Sequence, residues 1–196
     1  MRVAILASGN GSNFEALAHQ FQAGLLPGEL AFVFSDHHDA YVLERAQRLN
    51  VRAFSFEVKE FENKAAYEKA LLQLLQEQEI DLIVLAGYMR IIGQTLLSHY
   101  SNRILNIHPS LLPSFPGLHG IKDAYEYGVK VTGVTVHLVD DGVDTGPIIA
   151  QEPVMILPED SLESLEEKIH QTEHRLYPKV LRDVLLQSDK NKSKGE

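Results

Sequence analysis

The chain reads as a single α/β domain on a twisted, mixed sheet, and three patterns predict this. Short apolar, β-rich runs alternate with helical patterns over most of the length, the order that builds parallel βαβ units with helices on both faces. Leu82–Ala86 is continuously apolar, as suits a strand buried on both faces of a parallel sheet. Near the C-terminus two strand-like runs follow one another with no helix between them, so that part of the sheet is expected to be antiparallel.

The elements follow in order. Arg2–Ala7 forms the first strand, and Asn13–Ala23 carries Phe14, Leu17, Ala18 and Phe21 at helical spacing. Leu30–Phe34 is a second strand ending at Ser35-Asp36, Ala40–Leu49 a helix, and Arg52–Phe56 a short third strand. Lys64–Gln78 is an amphipathic helix with Leu71, Leu72, Leu74 and Leu75 on its apolar stripe. After Leu82–Ala86 a short helix near Gln94–His99 leads to a strand at Arg103–Ile107. A Pro/Gly loop, a helix near Lys122–Tyr127, and strands at Thr132–Val139 and Pro147–Ile156 come next. Leu162–Leu186 is a long helix capped by Ser161 and kinked or broken at Pro178. Residues 188–196 read as a frayed polar tail, which sets the domain at residues 1–187.

Composition narrows the function. With 196 residues, 44% of them hydrophobic, the chain can build its own core without staples. No apolar run approaches the roughly 20 residues of a membrane span, and the first strand is too short and abrupt for a signal peptide. Cysteine is absent, which excludes disulfides, thiol catalysis and Cys-type zinc sites. A cytoplasmic protein is therefore expected. No histidine pair has H-E-x-x-H spacing, so no metal is expected. A net charge of −9 argues against a general nucleic-acid binder, and an anionic ligand would need local donors.

The most informative stretch is Arg103-Ile104-Leu105-Asn106-Ile107-His108-Pro109-Ser110-Leu111-Leu112-Pro113. Asn106 and His108, two apart on a strand, point to the same side, and Pro109 then ends the ladder. An amide donor beside a titratable imidazole suits acyl-type transfer: one holds a developing oxyanion while the other moves protons. The Pro-rich loop contains Pro109, Pro113 and Pro116, of which Pro113 is the candidate for a cis bond.

Two loops extend this picture. Ser8-Gly9-Asn10-Gly11-Ser12-Asn13 lies between the first strand and first helix, where glycines and free helix-start amides suit a phosphate. A dinucleotide fingerprint competes, with Asp36 near its acidic position, but Phe14 stands where its third glycine belongs. The second loop, Val139-Asp140-Asp141-Gly142-Val143-Asp144-Thr145-Gly146-Pro147, is acidic and glycine-rich, as hairpin turns also are, and does not match an EF-hand. One of its aspartates within about 4–6 Å of His108 would favour the protonated ring. Spacing alone does not choose among Asp140, Asp141 and Asp144. His37 and His38 are expected to face solvent, His137 lies on one face of a strand, and His174 sits in the last helix.

Gly9-Asn10-Gly11-Ser12-Asn13, Ala86-Gly87-Tyr88-Met89-Arg90-Ile91, Leu105–Pro113 and Asp144-Thr145-Gly146-Pro147 occur in that order. Together they resemble the phosphoribosylglycinamide formyltransferases, a folate-dependent formyltransferase family of purine synthesis, from Met1 to about Leu186. The resemblance implies a Rossmann-like formyltransferase fold, and transfer of a formyl group from 10-formyltetrahydrofolate as co-substrate to the amine of glycinamide ribonucleotide. It implies Asn106, His108 and Asp144 as the catalytic trio, with His108 as general acid. It further implies Gly11, Ser12 and Asn13 on the substrate phosphate and Glu173 on the ribonucleotide. Met89, Arg90, Ile91 and Ile92, with Asn106, Asp140, Asp141, Gly142, Val143 and Asp144, would line the folate site, although Met89, Ile91, Ile92 and Leu97 equally suit a core. Lys64 falls at a basic folate-contact position, where it lacks the bidentate fork of arginine.

Three rivals share features. A formyltetrahydrofolate deformylase would add an N-terminal regulatory domain, which is not expected with a first strand at Arg2. A methionyl-tRNA formyltransferase would add a C-terminal RNA-binding domain. A non-catalytic nucleotide-phosphate sensor would explain the Gly loop but not Asn106 with His108. The expected partners are the two small substrates, with neither nucleic acid nor membrane, and the chain is expected to be a monomer or weak homodimer.

Overall fold

The computed structural model describes residues 1–192. Its elements begin with β1 (Arg2–Leu6), α1 (Ser12–Gln22), β2 (Glu29–Ser35), α2 (Tyr41–Arg48) and β3 (Ala53–Ser55). They continue with α3 (Lys64–Glu77), β4 (Leu82–Leu85), α4 (Gln94–His99) and β5 (Ile104–His108). The last are α5 (Gly120–Tyr127), β6 (Val131–Leu138), β7 (Ile148–Met155) and α6 (Leu162–Lys192). One seven-stranded sheet runs in the order β3-β2-β1-β4-β5-β6-β7. The pairs from β3 to β5 are parallel, while β5–β6 and β6–β7 are antiparallel. The mixed α/β sheet expected from the sequence is present.

Strand alternation divides the core in two. Along β1, Val3 and Ile5 face one side and join residues of α1, α2 and α6, including Phe14, Leu17, Val42, Leu165, Ile169, Tyr177 and Leu181. Ala4 and Leu6 face the other, with Phe32, Phe34, Tyr67, Leu71, Leu75 and Leu96 from β2, α3 and α4. Strands covered on both faces must be apolar throughout, which is why β4 reads Leu-Ile-Val-Leu without a break.

The last helix is the long one expected, and Pro178 does not break it. α6 passes through Pro178 without ending, because Leu176, Tyr177, Val180 and Leu181 flank it and are buried. Each such side chain contributes roughly 1.5–3 kcal/mol, and together they outweigh the roughly 3 kcal/mol cost of an interior proline. The Tyr177 hydroxyl also donates to the carbonyls of Leu85 (2.8 Å) and Leu105 (3.3 Å), tying the helix to β4 and β5. At its start, Ser161 Oγ accepts from Ser164 N–H at 3.1 Å, the cap expected. The helix runs past Leu186 to Lys192, and residues 193–196 of the expected tail lie outside the described residues. A 3₁₀ turn at Val58–Glu60, closed by a Glu57/Glu60 capping box, was not foreseen. Leu112–Pro113 is cis, as expected.

Candidate active site

A cleft of about 670 Å³ opens where the parallel strands end. Its walls come from the loop after β1 (Ser8–Asn13), the segment after β4 (Ala86–Ile92), the end of β5, and the turn between β6 and β7. Ligand sites in open α/β sheets lie at this carboxyl edge, because loops there are free of the ladder.

Asn106 and His108 both line the cleft, as their spacing on β5 requires. β5 extends one residue beyond the expected Ile107, since His108 pairs with Thr135 of β6. The ring is buried, with Nδ1 3.4 Å from Asp144 Oδ2 and Nε2 2.8 Å from the Phe115 carbonyl. Both neighbours are acceptors, so a ring carrying hydrogen on each nitrogen satisfies both. Gly120 makes this placement possible: a Cβ there would stand 3.0 Å from His108 Nε2 and 3.1 Å from the Phe115 carbonyl. Thr135 holds the loop beyond, its Oγ1 donating to Ser110 O (2.7 Å) and accepting from Leu112 N–H (3.0 Å).

Of the three aspartates left open by the sequence, Asp144 reaches His108. It adopts a left-handed conformation (φ 55°), tolerated by Asp, that accompanies its carboxylate's turn into the cleft. Gly117 N–H donates to its Oδ2 at 2.8 Å. Burial works to raise the Asp144 pKa, but the neighbouring His137 and His108 rings and the Gly117 N–H outweigh it and lower the pKa overall. Asp140 lines the cleft, but its Oδ1 is engaged by Gly142 N–H (3.1 Å) and the Thr145 hydroxyl (2.7 Å). Gly142 and Val143 also line it, whereas Asp141 is exposed and outside the lining.

At the other end, Gly11 caps α1 in the left-handed region (φ 77°), where a Cβ would meet Val42 Cγ2 at 2.4 Å. Gly11, Ser12 and Asn13 line the cleft, and the first amides of a helix have no intrahelical acceptor. Such a terminus favours an anion by about 0.3–1 kcal/mol, more when partly buried. Asn13 Nδ2 donates to Glu173 Oε2 at 3.0 Å from α6, and Asn13 Oδ1 is buried without a partner. Burial raises the Glu173 carboxyl pKa, against the Asn13 hydrogen bond and the His170 charge. Phe14 is fully buried in the core, and Asp36 is buried against Arg90 Nε (2.6 Å). Neither is free for a dinucleotide.

Met89 and Ile91, 60% and 61% exposed, present apolar surface at the cleft, whereas Ile92 is buried and Leu97 half-buried in the core. Arg90, held by Asp36, lines the same wall. Lys64 is not in this wall. It borders an adjoining cavity of about 300 Å³ that shares residues Met89 to Ile92, and lies 3.7 Å from Glu68.

Of the histidines weighed in the sequence, His37 departs from expectation. His38 is exposed, but His37 is half-buried, lines the cleft, and lies 3.5 Å from Asp36. His37, Asp39 and Glu57 bring one ligand atom each within 4.8 Å of one another, although Glu57 is already engaged by Lys59 and the His38 N–H. His137 lines the cleft, buried, with Nε2 3.1 Å from Asn106 Nδ2 and 3.6 Å from Asp144 Oδ1. Its signal lay in β6, where Thr135 and His137 interrupt Val134, Val136 and Leu138 at alternate positions. His170, one turn before Glu173, also lines the cleft and carried no such signal.

Known proteins resemble this chain closely. A formyl transferase family model matches residues 1–181. The phosphoribosylglycinamide formyltransferase of Bacillus subtilis is 49% identical over 184 residues, covering 94% of each chain. That of Escherichia coli is 38% identical over 92% of this chain and 85% of its own. The crystal structure of the Bacillus halodurans phosphoribosylglycinamide formyltransferase superposes with a TM-score of 0.92 at 53% identity, over 94% and 95% of the two chains. On the family match and these relatives, the chain belongs to the formyl transferase family, in the group of the phosphoribosylglycinamide formyltransferases.

Proposed function

We propose that the cleft transfers the formyl group of 10-formyltetrahydrofolate to the amine of 5-phosphoribosylglycinamide, a step of de novo purine biosynthesis. The observation that carries this reading is the meeting of Asn106, His108 and Asp144 in one cleft with the glycine-lined start of α1. The residues suit both substrates: amide donors for a phosphate at one end, exposed Met89 and Ile91 for a flat apolar ring system at the other.

The neutral amine attacks the formyl carbon, forming a C–N bond and moving the carbonyl electrons onto oxygen. An Asn106 N–H and the His108 ring stabilise that oxyanion, where one such donor typically contributes about 100–1,000-fold. As the carbonyl re-forms, the folate nitrogen leaves and takes a proton from His108. Nε2 exchanges the Phe115 carbonyl for the reacting atoms to do so. Asp144 holds the ring's charge and orientation through Nδ1, and relays the amine's proton through water to replace the one His108 gives to the folate nitrogen. Gly11, Ser12 and Asn13 take the phosphate, and Glu173 the ribonucleotide. Met89, Arg90, Ile91 and Ile92 line the folate site with the Asp140–Asp144 turn, in which Asp141 serves as backbone. Lys64 reaches the outer part of the folate from the adjoining cavity.

All these side chains come from one chain, which supports action as a monomer or weak homodimer. No helix among the described residues is long and apolar enough to cross a membrane; the likeness to bacterial phosphoribosylglycinamide formyltransferases supports a cytoplasmic location. Mixing protein with both substrates and following folate absorbance tests the reading. Folate turnover that requires the amine is expected. Equal folate turnover without it would indicate a deformylase, and binding without turnover a sensor.

A further inference from the structure

We propose that His137 is a positioning residue that fixes which end of the Asn106 amide faces the reacting atoms. The inference rests on the formyl-transfer reading and adds a residue to it. β5 and β6 are paired so that Asn106 stands directly opposite His137. The His137 ring is 2% exposed, and its Nδ1 lies 2.8 Å from the Leu138 carbonyl. A carbonyl only accepts, so Nδ1 carries the hydrogen. In the neutral ring this leaves Nε2 a bare acceptor, and it lies 3.1 Å from Asn106 Nδ2.

The consequence falls on Asn106. Its side chain makes no other hydrogen bond among the described residues. The two ends of an amide are nearly equal in size, so packing distinguishes them poorly, and rotation by half a turn exchanges donor for acceptor. The Nε2 lone pair removes that degeneracy: it accepts one Nδ2 hydrogen and would repel Oδ1. The second Nδ2 hydrogen remains for the oxyanion, in the cleft that Asn106 lines. Asp144 Oδ1, 3.6 Å from Nε2, lies beyond hydrogen-bond distance, which leaves the Asn106 amide as the partner within reach of that nitrogen. The reversed tautomer, with hydrogen on Nε2, would instead attract Oδ1 and turn the donor away. The backbone of β6 thus sets the tautomer, the tautomer sets the amide, and the amide supplies the donor.

Two measurements test this. Long-range ¹H–¹⁵N correlation spectra of the ¹⁵N-histidine-labelled protein are expected to show His137 with hydrogen on Nδ1 and a bare Nε2. Hydrogen on Nε2, in a neutral or a cationic ring, overturns the proposal, independently of any activity. In kinetics, His137→Phe keeps a flat ring but no acceptor, and is expected to lower kcat by about 10–100-fold, up to the worth of one oxyanion donor, with little change in KM. His137→Gln, which can offer its carbonyl to Nδ2, is expected to recover most of that loss. In an Asn106→Ala background, His137→Phe is expected to cost almost nothing further. An equal loss in both backgrounds, or a loss confined to KM, overturns the proposal. Should His137→Phe fail to fold, the tautomer and the His137→Gln kinetics still decide it. Absence of amine-dependent turnover in the unmodified protein would instead count against the formyl-transfer reading.

Discussion

Asp144 concentrates the chemistry into one carboxylate. It faces His108 and His137 with different oxygens and takes the Gly117 N–H. Its lowered pKa leaves it ionised throughout the neutral range, as a group that holds a cationic imidazole must be. Asp144→Asn keeps the size and tolerates the left-handed backbone but loses the charge. It is expected to lower kcat by more than about 100-fold while the KM of each substrate changes only a few-fold, which steady-state kinetics would show. Parallel changes in KM would mean a binding role. Asn106 and His108 were legible in the sequence because a two-residue spacing on a strand fixes their direction. Choosing Asp144 over Asp140 and Asp141 needed the turn's conformation, which residue types in a glycine-rich loop do not determine. For His137 the sequence shows only a place on one face of a strand, because its partner lies 31 positions away and across a strand pair.

At the scale of elements, the start of α5 and the start of α6 each carry a checkable consequence. α5 can approach His108 only because Gly120 has no side chain. Gly120→Ala is expected to displace the ring or the Phe115 loop and lower turnover, with far-UV circular dichroism unchanged; full activity would show that the close approach is immaterial. Before α6, Asp160 accepts from Lys168, from the Leu157 N–H at 2.7 Å and from the Ser164 hydroxyl at 2.9 Å. These hold its pKa at about 2, with Lys168 the largest cause. A depressed carboxyl pKa contributes stability that is present above its unfolded value of about 3.9 and lost as pH falls toward the folded value. Asp160→Asn is therefore expected to melt at a lower temperature than the unaltered chain near neutral pH. The gap should close as pH falls from about 4 toward about 2 in melting curves; a pH-independent gap would point to packing instead. The elements themselves were largely legible, since each apolar run has its own period. Whether Pro178 would break α6 was not, because the compensating burial comes from distant strands.

For the molecule as a whole, the sheet order explains why the site lies where it does. β1, β4 and β5 are neighbours, so the glycine loop, the Met89–Ile92 segment and the Asn106–His108 pair emerge side by side although they are far apart in the chain. The antiparallel return through β6 and β7 then brings the acidic turn back to the same edge. Alternation of strand and helix announced the parallel part, and the missing helix announced the return. The strand order was not announced, because apolar runs of similar length could pair in several orders. That shared edge is the central claim, and a crystal structure with glycinamide ribonucleotide and a non-reactive folate analogue tests it most directly. The phosphate is expected on the amides of Gly11–Asn13, the folate ring against Met89 and Ile91, and the substrate amine between them beside Asn106 and His108. A phosphate bound away from α1, or an amine out of reach of both side chains, would contradict it.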